Sequence, residues 1–199
     1  MTKIIQISDT HLLREGAFAS KNLQPAKSLK NLVNYISQIQ LEAGLIDAII
    51  VSGDISDDGS IESYQLFNSI FDPLKIPLFL IPGNHDIRTS FRSVFSPAGY
   101  LPASGKLNWY QKVEKLHLIG LDTLIEGEKK GELDEETLTF LQSTLDELGN
   151  GPVILMLHHP PFETGVKLMD AIGLCTGRDQ FSKVIGAYSG ELIIVCGHI

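Results

Sequence analysis

The sequence predicts an α/β protein with a mixed, mostly parallel sheet, and two observations carry that prediction. Six short runs rich in Ile, Val and Leu are bounded by turn residues, and segments of helical period lie between some of them. Strands that alternate with helices favour a parallel sheet whose helices pack on its faces.

Ile4 to Ile7 is the first run, short and apolar enough to be a buried strand. Leu29, Leu32, Val33, Ile36 and Ile39 follow at the spacing of one helix face. Ala48 to Val51 and Leu78 to Ile81 are the next two strands. The segment from Asn108 to Val113 abuts the Leu116 to Leu121 strand and reads as its antiparallel partner, which makes the sheet mixed. Leu138, Leu141, Leu145 and Leu148 mark a second helix, with Asp134 as its N-cap and Glu135 and Glu136 in the first turn. Gly149-Asn150-Gly151-Pro152 stops it, and the strands Val153 to Leu157 and Leu192 to Val195 follow. No repeat, low-complexity tract or Ser/Pro-rich linker divides the 199 residues. Residues 1–199 therefore read as one domain, long enough to bury a core without a disulfide framework.

The 16 Lys and Arg against 24 Asp and Glu leave a net charge of −8. That balance argues against a nucleic-acid polymer as partner, because backbone affinity comes mainly from basic side chains. It leaves an anionic small molecule open, since a bound cation reverses the local field. Cys175 and Cys196 are too few and too far apart for a zinc cluster, and read as small core or near-core residues of a protein in a reducing compartment, the cytosol. The apolar stretch Ile4 to Ile7 is too short for a signal peptide, and no run approaches the roughly 20 residues that span a bilayer. No membrane partner is expected.

The chemistry-bearing residues fall just after the strands. Asp9-Thr10-His11 follows the first, Gly53-Asp54-Ile55-Ser56-Asp57 the second and Gly83-Asn84-His85-Asp86 the third. His158-His159-Pro160-Pro161 and Gly197-His198 follow the last two runs. In open α/β sheets ligands bind where the carboxyl ends of strands meet, so five loops deliver carboxylates, an amide and imidazoles to one cleft. Such a donor set, without thiolates, suits Mn, Fe, Zn or a similar divalent ion. Asp9 and His11, two apart on an extended segment, are expected to point the same way and hold one ion. The two oxygens of a carboxylate such as Asp54 can bridge two cations, and Asn84 adds a neutral ligand that leaves positive charge for a phosphate. Paired ions about 3.5–4 Å apart activate water and clamp both oxygens of an in-line displacement at phosphorus.

In this order the blocks Asp-x-His, Gly-Asp-x-x-Asp, Gly-Asn-His-Asp, His-His-Pro-Pro and Gly-His resemble the calcineurin-like metallophosphoesterases, from residue 9 to residue 198. The run Arg88 to Arg92 and the stretches Pro160 to Gly165 and Met169 to Leu174 are similar to the bacterial cyclic-nucleotide phosphodiesterase and glycerophosphodiesterase branch. Ile87 departs from that branch, which often carries a further Asp there. The resemblance implies an αββα sandwich with mixed β-sheets, hydrolysing a small phosphodiester by a metal-bound hydroxide. It implies that Asp9 and His11 bind the first metal, Asp54 bridges, and Asn84, His158 and His198 bind the second. His85 would stand beside the metals as a non-ligand, stabilising the transition state or protonating the leaving oxygen.

The family's last motif is Gly-His-x-His, and here the sequence reads Gly197-His198-Ile199. The expectation is therefore a domain without its C-terminal part, a fragment or a naturally shortened chain, whose first metal is held by three protein ligands; in a longer chain the resemblance implies a C-terminal cap or a segment that forms a homodimer. The alternatives are a phosphomonoesterase of the same superfamily, or a catalytically weak interaction module. Other polar residues have plainer readings. His117 is expected to pack within its strand and His159 to be a structural neighbour of His158. Asp57 and Asp86 are expected to cap turns or orient ligands, and Arg88 and Arg92 to be structural rather than substrate contacts.

Overall fold

The computed structural model describes residues 1–17 and 23–198. Ile199 lies outside the described residues. Strands β1 (Ile4–Ile7), β2 (Ala48–Ser52) and β3 (Leu78–Ile81) form a purely parallel sheet in that order. Strands β4 (Trp109–Val113), β5 (Leu116–Leu121), β7 (Val153–Leu157) and β9 (Leu192–Val195) form a second sheet. In it β4 runs antiparallel to β5 and the remaining pairs are parallel, so the mixed character belongs to this sheet alone. The short strands β6 (Gly131–Glu132) and β8 (Leu174–Thr176) pair beside it.

Alternation along the strands builds four layers. Ile49 and Val51 of β2 face a core made with α1 (Pro25–Ala43), α2 (Ile61–Phe71) and α3 (Arg88–Phe95), through Val33, Ile36, Tyr64, Phe67 and Phe91. Ala48 and Ile50 point the other way, into a core shared with Trp109, Leu118, Ile154 and Met156 of the second sheet. On the far side of that sheet, Ile119, Leu121, Val153, Leu155 and Leu157 pack on Leu141 and Leu145 of α4 (Glu135–Leu148). A single-turn helix, α5 (Lys167–Ala171), leads into β8, and α6 (Arg178–Ala187) adds Phe181 to the same core. Helix, sheet, sheet, helix is the resulting order, and period-two burial on strands covered on both faces is its cause.

Local signals set the boundaries. Asp134 accepts the Thr137 amide at 2.9 Å and caps α4, as its position predicts. Ser60 does the same for α2 through the Ser63 amide at 3.2 Å. The two sheets are also tied by a polar contact: Trp109 Nε1 donates to the Leu80 carbonyl at 2.7 Å. Trp109→Phe is expected to lower unfolding stability by about 1–3 kcal/mol, because a buried carbonyl loses its partner, as urea denaturation would measure. His117 packs on Tyr110 and hydrogen-bonds its hydroxyl at 2.9 Å, within the strand pair as expected. Cys175 departs from expectation: it sits exposed on the three-residue strand β8, at the register shift that leaves it out of the pairing, while Cys196 is half-buried. Among the described residues no helix is long and apolar enough to cross a membrane.

Candidate metal centre

Parallel strands end side by side, and the loops after β1, β2 and β3 converge with those after β7 and β9. The β1 loop is laced to the β2 loop by backbone bonds, Asp9 N to Gly53 O at 3.1 Å and His11 N to Asp54 O at 3.0 Å. The backbone there is not extended. Asp9, His11, Asp54 and His198 are four of the six described non-glycine residues with positive φ, at 55, 42, 50 and 64°. The expectation that Asp9 and His11 converge by strand alternation is thus corrected: a left-handed turn, held by those bonds, aims both inward. Such conformations are costly and collect where a site dictates the geometry.

Asp54 is the centre of the arrangement, and is buried. Its Oδ1 accepts the His85 amide at 2.9 Å, so that oxygen is occupied. Its Oδ2 lies 3.6 Å from His11 Nε2 on one side and 3.5 Å from His158 Nε2 on the other. Of the two carboxylate oxygens, Oδ2 alone therefore stands between the two imidazoles. Burial opposes ionisation of Asp54, but the hydrogen bond and charge of His158 with the His85 amide outweigh it, and the carboxyl is lowered to about 2.

Each imidazole has a nitrogen fixed by an acceptor. His11 Nδ1 donates to Asp57 Oδ1 at 3.0 Å, His158 Nδ1 to the Ser52 carbonyl at 2.8 Å, and His198 Nε2 to the Ile172 carbonyl at 3.2 Å. The opposite nitrogen of each is thereby left as a potential ligand, the arrangement in which a hydrogen-bond partner orients a metal-binding imidazole. His158 Nε2 faces two oxygens, Asn84 Oδ1 at 3.1 Å and Asp54 Oδ2 at 3.5 Å. A neutral ring would meet them with a lone pair, so the position calls for a cation, either a proton or a metal ion. Ligands about 2.0–2.2 Å from one ion stand roughly 3.0–3.6 Å from each other in ordinary coordination geometries. The spacings around Asp54 fall in that interval, while Asp9 Oδ1 to His11 Nε2 is looser at 4.0 Å. The donor set fits divalent metal ions.

Gly53 and Gly83, which precede Asp54 and Asn84, make room for neighbouring side chains of the site rather than merely turning the chain. A Cβ on Gly83 would lie 2.2 Å from Asp54 Oδ1, and one on Gly53 would lie 2.4 Å from His158 Nδ1. Asp86 clamps the second and third loops: it accepts the amides of Ile55, Ser56 and Gly83 at 3.2, 3.1 and 2.8 Å and the Tyr64 hydroxyl at 2.9 Å. Burial and the neighbouring Asp54 raise its carboxyl to about 6. Asp57 orients two rings, His11 through its carboxylate and His85 through its carbonyl, which accepts from His85 Nδ1 at 3.1 Å. Asp57 and Asp86 therefore orient the site, as expected of them.

Asp9, His11, Asp54, Asn84, His85 and His198 open onto one cavity of about 290 Å³, with Lys129, Met169 and Ile172 completing its wall. His158 is buried behind it. His159 is not available as a ligand: Nδ1 accepts from Thr123 Oγ1 at 2.8 Å and Nε2 donates to the Lys129 carbonyl at 3.3 Å. Desolvation, with His158 and His198 close by, lowers its pKa to about 2, so this ring is neutral. Arg88 pairs bidentately with buried Asp122, at 2.7 and 2.9 Å, and Arg92 bonds the carbonyls of Pro102 and Gly105 at 2.9 and 2.6 Å. Both are structural. Sequence reasoning singles out neither Tyr64 nor Lys129: Tyr64 lies on a periodic helix face that could have revealed it, and Lys129 sits in an exposed turn with no distinguishing pattern.

The sequence model of the calcineurin-like phosphoesterases matches residues 2–199. The chain belongs to the calcineurin-like phosphoesterase family. A probable glycerophosphodiester phosphodiesterase of Arcobacter nitrofigilis is 32% identical over 196 residues, 98% of this chain and 71% of that protein. A 3′,5′-cyclic adenosine monophosphate phosphodiesterase of Pseudomonas aeruginosa is 30% identical over 196 residues, 98% of this chain and 68% of that one. Among solved structures, a purple acid phosphatase from yellow lupin (Lupinus luteus) superposes with a TM-score of 0.71 at 16% identity, covering 100% of this chain and 38% of its own. That likeness establishes the shared metallophosphoesterase fold.

Proposed function

We propose that the chain hydrolyses a small phosphodiester, a 3′,5′-cyclic nucleotide or a glycerophosphodiester, at a centre of two divalent ions, Mn, Fe or Zn. The observation that carries this reading is the single oxygen of Asp54 placed between His11 and His158, at 3.6 and 3.5 Å. Family membership and the phosphodiesterases of Arcobacter nitrofigilis and Pseudomonas aeruginosa support it. Asp9, His11 and Asp54 would hold one ion, and Asp54, Asn84, His158 and His198 the other. Bound there, the ions supply activation of water and neutralisation of charge on the phosphoryl oxygens.

The protein's own groups prepare that chemistry. Asp9 is held in place by the His198 amide, which donates to both its oxygens at 3.2 Å. His85, with Nδ1 committed to the Asp57 carbonyl, turns Nε2 to the cavity without a hydrogen-bond partner among the described residues. That nitrogen can hold the proton taken by the leaving oxygen, a general-acid role worth about 10²–10⁴-fold. Cys175 and Cys196 are both unpaired thiols, which suits a reducing compartment, and we place the protein in the cytosol on that basis.

Hydrolysis of bis(4-nitrophenyl) phosphate and of 4-nitrophenyl phosphate with added Mn²⁺ tests the reading. The diester is expected to be the better substrate, and Asn84→Ala to lower its kcat/KM about 10–100-fold or more, the loss seen even for outer partners of metal ligands. Turnover of neither ester at saturating metal contradicts the proposal. Preference for the monoester makes the protein a phosphomonoesterase, and undiminished Asn84→Ala activity removes Asn84 from the centre.

A further inference from the structure

We propose that Lys129 binds a non-bridging oxygen of the substrate's phosphoryl group, an inference that rests on the phosphodiesterase reading. Among the described residues lining the cavity it is the only Lys or Arg. The metal-binding donors beside it are all Asp, His or Asn, so nothing about holding cations calls for an ammonium there. Among the described residues its ammonium makes no ion pair, whereas Lys106 is matched by Glu132 at 3.2 Å and Asp134 at 3.3 Å. Once Asp9 and Asp54 are committed to divalent ions, the charge of Lys129, a residue of the cavity wall, is left without a counter-charge among the described residues lining it. An anion entering the cavity provides one, and a phosphoryl oxygen takes a charge-assisted hydrogen bond from it.

The loop that carries Lys129 is built to deliver it. Glu128 N donates to Ile125 O at 3.0 Å, closing a turn with Gly127 at φ 83°, and Leu124 bridges Gly131 on the other side. Gly131 N then donates to Gly173 O at 3.1 Å, fastening the loop to the segment that supplies Ile172. The remaining anchor is the Lys129 carbonyl itself, held by buried His159 Nε2 at 3.3 Å. His159 takes its other bond from Thr123, so it acts as a positioning residue that ties the lysine's backbone to the loop carrying His158. A Cβ on Gly131 would lie 2.2 Å from His159 Nδ1, which shows how closely the loop lies against the ring. Lys130, one residue on, does not line the cavity.

Lys129→Gln and Lys129→Arg, each loaded with Mn²⁺, test the proposal. Lys129→Gln is expected to raise KM for bis(4-nitrophenyl) phosphate about tenfold with kcat within about twofold, the lower end for a charged hydrogen bond because the residue is exposed. Calorimetry should show inorganic phosphate binding about tenfold more weakly to Lys129→Gln, and within about threefold of wild type to Lys129→Arg. Melting temperatures should match, since the side chain is exposed. Unchanged KM and phosphate affinity in Lys129→Gln, or a loss in Lys129→Arg as large as in Lys129→Gln, overturns the proposal. A wild type inactive on every ester defeats the phosphodiesterase reading instead, whereas an active wild type equalled by Lys129→Gln defeats only this inference.

Discussion

Asp54→Asn is expected to lower kcat/KM for a phosphodiester by more than about 10³-fold at saturating metal, with the fold retained. The reason is that one oxygen serves both sides of the centre, His11 at 3.6 Å and His158 at 3.5 Å. If even an outer partner of a metal ligand contributes about 10–100-fold, removing a shared inner one from two sites compounds the loss. The Asp54 carboxyl, held at about 2, is an anion throughout the neutral range, and Asn removes that charge from between the places proposed for the two ions. An amide does not compensate: with its oxygen placed between His11 and His158, its nitrogen would face the His85 amide, donor against donor. Steady-state kinetics against Mn²⁺ concentration, with circular dichroism to verify the fold, measures this. A loss below about tenfold would mean that the two sides do not depend on Asp54.

Gly83→Ala carries the second largest expectation, a loss of activity of about 100-fold together with about 1–3 kcal/mol of stability. The added methyl would stand 2.2 Å from Asp54 Oδ1 and 2.4 Å from Asp54 N, neither of which is the free end of a flexible chain. Asp54 Oδ1 is also where the His85 amide bonds and Gly83 N is bound by Asp86, so any adjustment moves the bridge, the third loop and His85 together. Gly186→Ala provides the control. That glycine lies inside helix α6, and a methyl added there would meet nothing within 4 Å, so its replacement should leave activity unchanged and stability equal or higher. Equal behaviour of the two variants in kinetics and thermal melting would contradict the close-packed reading of the third loop.

How much of this could be read from sequence divides by kind of interaction. Strands buried on both faces announce themselves as short Ile, Val and Leu runs, and β1, β3, β5, β7 and β9 start and stop where those runs do. Helix α2 is equally legible, with Ser60 as cap and Tyr64, Phe67, Ile70 and Phe71 on its buried face, but a search centred on the apolar runs passes over it. Division into two sheets is harder, because Ala48 and Ile50 reveal which way they face only once Trp109 and Met156 are seen opposite. Asp9, His11, Asp54, Asn84, His85, His158 and His198 are legible as residues standing after strands, and the fold brings them together. Which of their atoms face one another is not, since left-handed turns at Asp9 and Asp54 and the acceptors that fix each ring depend on residues far apart in the chain. The same holds for the Tyr64–Asp86 clamp and for Lys129, which sequence alone cannot separate from Lys130 beside it.

The proposed function requires that two ions bind together, with Asp54 between them. Electron paramagnetic resonance of the wild-type protein with two equivalents of Mn²⁺ tests it most directly, because ions about 3.5–4 Å apart across a shared ligand are magnetically coupled. A coupled spectrum is expected from the wild type and only isolated-ion signal from Asp54→Asn. An isolated-ion spectrum from the wild type at saturating Mn²⁺ would contradict that requirement.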